Sequence, residues 1–205
     1  VGSALSLSGA AYQGVFKNPL VAPDLLGVSS GACVGASVAI LLHLNSFGVQ
    51  AMAFVAGILA VGLTLFIPHL IKNTNMTLLA LSGIIVKGIM DSVMGIIKYV
   101  ADPETELQSI TYWQLGSLTK VLPKDLFTVG PVIVTASVII FLLRWRINIL
   151  SLGDREAKTL GVSVTIVRNF IIICATLLTA SAVCISGTIG WIGLVIPHFA
   201  RMLTG

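Results

Sequence analysis

Between Leu25 and Ile71 the chain carries no Asp, Glu, Lys or Arg, and a second uncharged run extends from Asn169 to Ala200. A bilayer-crossing helix takes about 20 predominantly apolar residues, so the first run is long enough for two crossings and the second for one. Ala51 to Leu65 is apolar on every face. The strands of a transmembrane β-barrel alternate apolar and polar residues instead, which disfavours that fold.

The pattern predicts helices over 1–16, 28–44, 49–71, 77–100, 126–145 and 167–190. The breaks between them are a loop at Lys17 to Asp24, turns at His43 to Gly48, Lys72 to Asn75 and Leu122 to Asp125, and an acidic loop at Asp102 to Glu106. Residues 107–118 are too short to span and fit a half-helix or surface helix. Residues 144–164 are polar and charged by this chain's standard, and Trp191 to Gly205 is a mixed apolar tail.

Composition agrees. Of 205 residues, 56% are hydrophobic and 10% charged, against roughly 25% charged in soluble domains. The net charge of +4 raises nucleic acid as a partner. No basic run is interleaved with aromatics, however, and loop Lys and Arg are ordinary in membrane proteins. Alternating crossings place Lys17, Lys72, Arg144, Arg146, Arg155, Lys158 and Arg168 on one side, and Lys98, Lys120, Lys124 and Arg201 on the other with Asp102, Glu104 and Glu106. Seven cations against four put the first side in the cytoplasm. Cys33, Cys174 and Cys184 lie in apolar runs and read as packing residues. The three histidines are far apart along the chain, with no HxxxH spacing and no carboxylate nearby in sequence, so no metal site or cofactor is expected. No GxxxxGK[ST] phosphate loop and no catalytic constellation occurs, which argues against an enzyme. Val1 opens into apolar sequence without a charged n-region, so no signal peptide is expected. The chain reads as an internal fragment.

Function is sought where the apolar pattern breaks. Gln13 precedes Asn18-Pro19, with Pro23 four residues on; these prolines make the connector rigid and non-helical. Ser29-Ser30-Gly31 follows, and its hydroxyls can cap the next helix or line a polar path. Within 77–100, Lys87 and Asp91 are four apart and can pair on one face, either as a self-neutralising pair or as a pathway lining. In the polar stretch, Leu152-Gly153-Asp154-Arg155-Glu156-Ala157-Lys158-Thr159-Leu160-Gly161 reads as a short surface helix. Asp154 can cap it, Gly161 can end it, and Ala157 and Leu160 on one face offer an apolar knob for a partner's groove. An ordinary polar loop is the plain alternative.

Three segments together, GAAYQGVFKNPLVAPDLLGVSSGACVGA (Gly9 to Ala36), NILSLGDREAKTLGV (Asn148 to Val162) and SGTIGWIGLVIPHFARMLTG (Ser186 to Gly205), resemble the permease family of type II ABC importers for iron-siderophores, haem and cobalamin. YWQLGSL (Tyr112 to Leu118) is similar too. The resemblance implies an all-α polytopic transmembrane bundle: about six crossings, a short outer half-helix and a cytoplasmic coupling helix. Residues 1–205 would form a single permease domain truncated at both ends, matching family helices two to seven. It implies a homodimer in the inner (plasma) membrane of a prokaryote, with two cytoplasmic ATP-binding subunits that perform the hydrolysis and an external solute-binding protein. Leu152, Gly153, Asp154, Glu156, Ala157, Leu160 and Gly161 would couple to the ATPase. Gln13, Asn18, Pro19, Ser29, Ser30, Gly31, Lys87 and Asp91 would lie along the path or its gate. Lys87 and Asp91 depart from the small or apolar residues usual there. The alternative is an ion-gradient-driven secondary transporter using Lys87 and Asp91 as its relay.

Overall fold

The structure is a computed structural model that describes residues 1–72, 75–119 and 121–204. Parts of the turn expected at 72–75, and Lys120, lie outside the described residues. Those described form helices, turns and loops only: α1 (Gly2–Phe16), a 3-10 turn (Pro23–Leu26), α2 (Val28–Leu41), α3 (Ser46–Leu70), α4 (Met76–Val100), α5 (Glu106–Leu115), α6 (Pro123–Leu142), α7 (Arg144–Leu152), α8 (Asp154–Thr159), α9 (Val164–Ser186) and α10 (Ile192–Thr204). Helices α3, α4, α6 and α9 are long and apolar enough to cross a membrane; α2 and α10 are apolar but shorter.

Where boundaries differ from the apolar pattern, local chemistry decides. α3 starts at Ser46 because the Asn45 side chain accepts the Gly48 N–H at 2.8 Å, an N-cap. α9 stops at Ser186, not 190, because Gly187 takes φ 70°. α7 was hidden by its charges: Arg144 and Arg146 occupy a helix that does not cross, and the tail after Trp191 is helical as well.

The helices group into two compact units. One comprises 1–23, 127–179 and 190–205. There α1 packs on α10 and α7, and α7 on α8. A Cβ on Gly9 would fall 1.7 Å from the Gly193 carbonyl oxygen, so the two backbones touch, as small residues allow in membrane bundles. Hydroxyls fasten α1 to α9: Ser8 Oγ lies 2.7 Å from Thr179 Oγ1, and Tyr12 Oη 2.9 Å from Thr176 Oγ1.

The other unit comprises 24–126 and 180–189. Here α2 packs on α3, α4 and α5. Gly35 is the contact point, since a Cβ would meet the Met52 carbonyl oxygen at 2.3 Å. Cys33, Met94, Ile97 and Ile110 form its apolar centre. The backbone of Ser117 donates to Ser186 O at 2.7 Å, holding the end of α5 to the end of α9. A cavity of about 230 Å³ opens there, lined among others by Gln50, Tyr112, Trp113, Cys184 and Ser186. Only 28% of the apolar stretch of α4 is buried, so most of its surface is open to lipid or another chain.

Candidate functional site

α8 is closed by a glycine at each end. Gly153 has φ 147° and ψ 154°, a region essentially restricted to glycine. At the other end Gly161 has φ 75°. Its N–H donates to Lys158 O, and that of Val162 to Ala157 O, both at 3.0 Å. This pair of bonds is a Schellman ending, the stop expected of Gly161. Leu152, Glu156 and Leu160 are exposed, whereas Ala157 is fully buried. The expected Ala157–Leu160 knob is therefore corrected. Three residues are about 60° apart around a helix, and the edge of the covered face runs between them. The exposed apolar groups flanking α8 are Leu152 and Leu160, and an open groove after its C-terminal end is lined by Lys158 and residues 161–166.

Asp154 does not cap α8, which has no side-chain cap. Its carboxylate turns to other elements. Lys17 Nζ donates to Oδ1 at 2.9 Å, and Arg168 Nη2 donates to both oxygens at 2.8 Å. The Arg168 side chain is only 7% exposed, and its Nε is buried with no partner. The guanidinium hydrogen-bonded to Asp154 holds its carboxyl below the usual carboxylate range; burial opposes this and the Lys17 ammonium adds to it.

Lys17 ends α1 in the left-handed conformation, φ 53°, uncommon for a residue with a Cβ. Beyond it, Asn18 Oδ1 accepts the Leu20 N–H at 2.9 Å. Gln13 is buried, not facing open space as a path residue would be. Its Nε2 donates to Val21 O and Leu194 O at 3.3 Å each, and its Oε1 accepts Arg201 Nη2 at 2.6 Å. It is a bracket holding α1, the proline connector and α10. Asn18 and Pro19 are exposed.

In the other unit, neither Ser29 nor Ser30 caps α2. Asp24 does so, its Oδ1 accepting the Ser29 N–H at 2.9 Å. Ser30 is buried, and Gly31 lies against α3, where a Cβ would come 2.5 Å from that of Ala60. Gly31 is thus a packing position. Lys87 does not pair with Asp91: its Nζ donates to Asp24 Oδ2 at 2.8 Å. Lys preceding Asp is the weaker orientation within a helix, and Asp24 is already fixed by a backbone amide. Asp91 is exposed, with no hydrogen bond or ion pair among the described residues. Among the described residues no group of three His, Cys, Asp or Glu is placed to hold a metal. Periodicity and spacing do not reveal Lys17, Asp24, Arg168 and Arg201 as partners, because their pairings span 14 to 188 positions of the chain.

A family model described as the FecCD transport family matches residues 1–205. The chain belongs to the FecCD transport family. This FecCD chain is 37% identical, over its whole length, to the molybdate import system permease protein MolB of Haemophilus influenzae, covering 61% of it. It is 40% identical to a probable iron chelatin transport system permease protein of Helicobacter pylori, again over its whole length and covering 62% of that protein. It is similar to a solved metal-chelate type ABC transporter in an inward-facing conformation, with TM-score 0.92 and 36% identity, covering 100% of this chain and 66% of that one. The FecCD chain thus spans about three fifths of the curated relatives it matches.

Proposed function

We propose that the full protein is the permease subunit of a binding-protein-dependent ABC importer that moves a metal chelate, haem, cobalamin or an oxyanion into a prokaryotic cytoplasm across the inner membrane. The observation that carries this reading is the family match along all of residues 1–205, supported by relatives named for iron chelatin, haemin, cobalamin and molybdate transport. Two permease copies would frame the path, and two ATP-binding subunits, which hydrolyse the ATP, would dock on the cytoplasmic side. The exposed α8 element, with Leu152, Leu160 and its charged neighbours, is the docking surface in this reading. Force on it, alternately applied and released, would open one end of the path and then the other. An external binding protein would deliver the cargo. The exposed side of α4, with Lys87 and Asp91, would face the path, because ionisable groups within a span face protein or water, not lipid.

The secondary-transporter reading loses its relay, since Lys87 is neutralised by Asp24 and not by Asp91. The test is uptake by the full-length protein with its ATPase and binding protein in proteoliposomes. Ferric chelate, haem, cobalamin and molybdate are offered in parallel. Uptake of one of them should require ATP and survive a proton uncoupler. Uptake without ATP that collapses on uncoupling overturns the proposal.

A further inference from the structure

The geometry points to Lys17 and Arg168 as positioning residues that clamp α8, through Asp154, to the end of α1 and to α9, so that force on α8 reaches the proline connector. This rests on the reading of α8 as the ATPase docking element. Three observations converge. First, Arg168 is a nearly buried cation whose guanidinium gives two 2.8 Å bonds to a single carboxylate. A buried charge of this kind is costly without its partner, so Arg168 is committed to Asp154. Second, Lys17 holds a left-handed backbone that glycine or asparagine would occupy more easily. Its ammonium is what the position uses, reaching Asp154 Oδ1 at 2.9 Å. Third, the connector that follows cannot absorb a pull. Asn18 holds Leu20, Gln13 holds Val21 O, and Pro23 packs on Gly193. A displacement of α8 is therefore passed along residues 17–23 and not lost in a flexible loop.

The clamp divides α8 between two tasks. Asp154 and Ala157 face the protein, which leaves Leu152, Arg155, Glu156, Lys158 and Leu160 for a partner.

The test uses the full-length permease with its ATPase and binding protein in proteoliposomes, with nitroxide labels on one copy of the dimer at Leu20→Cys and Thr159→Cys, both exposed and outside the docking residues. Wild type should give one narrow distance distribution with and without nucleotide, as a rigid link does. Lys17→Met and the near-isosteric Asp154→Asn should broaden it, and Lys17→Arg should restore it. In parallel, with whichever of ferric chelate, haem, cobalamin or molybdate the wild type imports, Lys17→Met should lower uptake per ATP hydrolysed by roughly tenfold, and Lys17→Arg should recover it. An unchanged distribution in Lys17→Met and Asp154→Asn, or unchanged uptake per ATP in Lys17→Met, overturns the clamp. If the wild type imports none of the probes with ATP, the transport reading fails, and the distance distributions alone decide the clamp.

Discussion

Asp24 lies three residues before Gly27 and Asp154 directly after Gly153, both glycines of positive φ, and each acid accepts a lysine ammonium, at 2.8 Å and 2.9 Å respectively. Their surroundings differ. The partner of Asp24, Lys87, belongs to α4, a helix long enough to cross a bilayer. Pairing one acid with one base neutralises a charge that the membrane interior penalises. Asp154 sits in the polar stretch between α7 and α9 and gathers two cations, leaving the cluster net positive. The first pair answers a solvation problem, and the second ties three chain segments together. Equal distances therefore carry different consequences, and salt, pH and mutation should separate them.

The largest effect is expected at Asp24. Asp24→Leu strands Lys87 within its span and removes the acceptor of the Ser29 amide. The loss should be about 2 kcal/mol in detergent unfolding; it falls short of the ~3–5 kcal/mol for a fully buried pair because Lys87 remains 46% exposed. The double variant Asp24→Leu with Lys87→Leu should regain most of it. Equal losses in the single and double variants would show that the two side chains are not coupled.

The two glycines sharpen the contrast. Gly27, φ 81°, starts α2 with ordinary contacts around a built Cβ, so Gly27→Ala should cost about 1 kcal/mol from backbone strain alone. Gly153, φ 147°, lies where alanine is far less tolerated; the exposed Glu156 carboxylate near its Cβ position can swing aside, so the backbone carries the cost. Gly153→Ala should cost about 2 kcal/mol, read from local hydrogen exchange in α8. Equal costs at the two glycines would contradict the distinction.

Much of this was legible in the sequence. Uncharged runs revealed α3 and most of α9, apolar stretches between charged turns revealed α4 and α6, and the glycines at 153 and 161 bracketed α8, because helix ends depend on local backbone chemistry. The resemblance of three separated motifs named the family. The pairings were not legible. The i,i+4 spacing favoured Lys87 with Asp91, yet the acceptor is Asp24, 63 positions away. Arg168 read as one more loop cation until the start of α9 buried it beside Asp154. Ala157 and Leu160 share a helical face by spacing, and which of them is covered depends on packing that a periodicity does not encode.

Ionic strength should separate the clusters next. Lys17→Met should cost only about 0.5 kcal/mol, as partly exposed ion pairs do. At 1 M salt, with a Debye length of roughly 3 Å, that difference should vanish. The cost of Lys87→Met should persist in part, because Asp24 is less exposed than Asp154, 29% against 46%, and is also held by the Ser29 amide. Salt-independent behaviour of Lys17→Met would place its pair in a drier setting than its 33% exposure indicates.

The smallest effect is the acid response of Asp154. Its carboxyl titrates below the usual range in the folded state, owing first to Arg168. A group with a depressed folded pKa stabilises fully above its unfolded value, about 3.9 for Asp, and loses that contribution as pH falls through the folded value. The melting difference between wild type and Asp154→Asn should therefore stay flat from about pH 8 to 5 and narrow only below about pH 4. Asparagine supplies the comparison because it keeps the shape and removes the charge. Closure of the gap between pH 6 and 7 would mean that Arg168 and Lys17 do not hold the carboxylate ionised, and the cluster would then be a crowd of cations instead of a fastening.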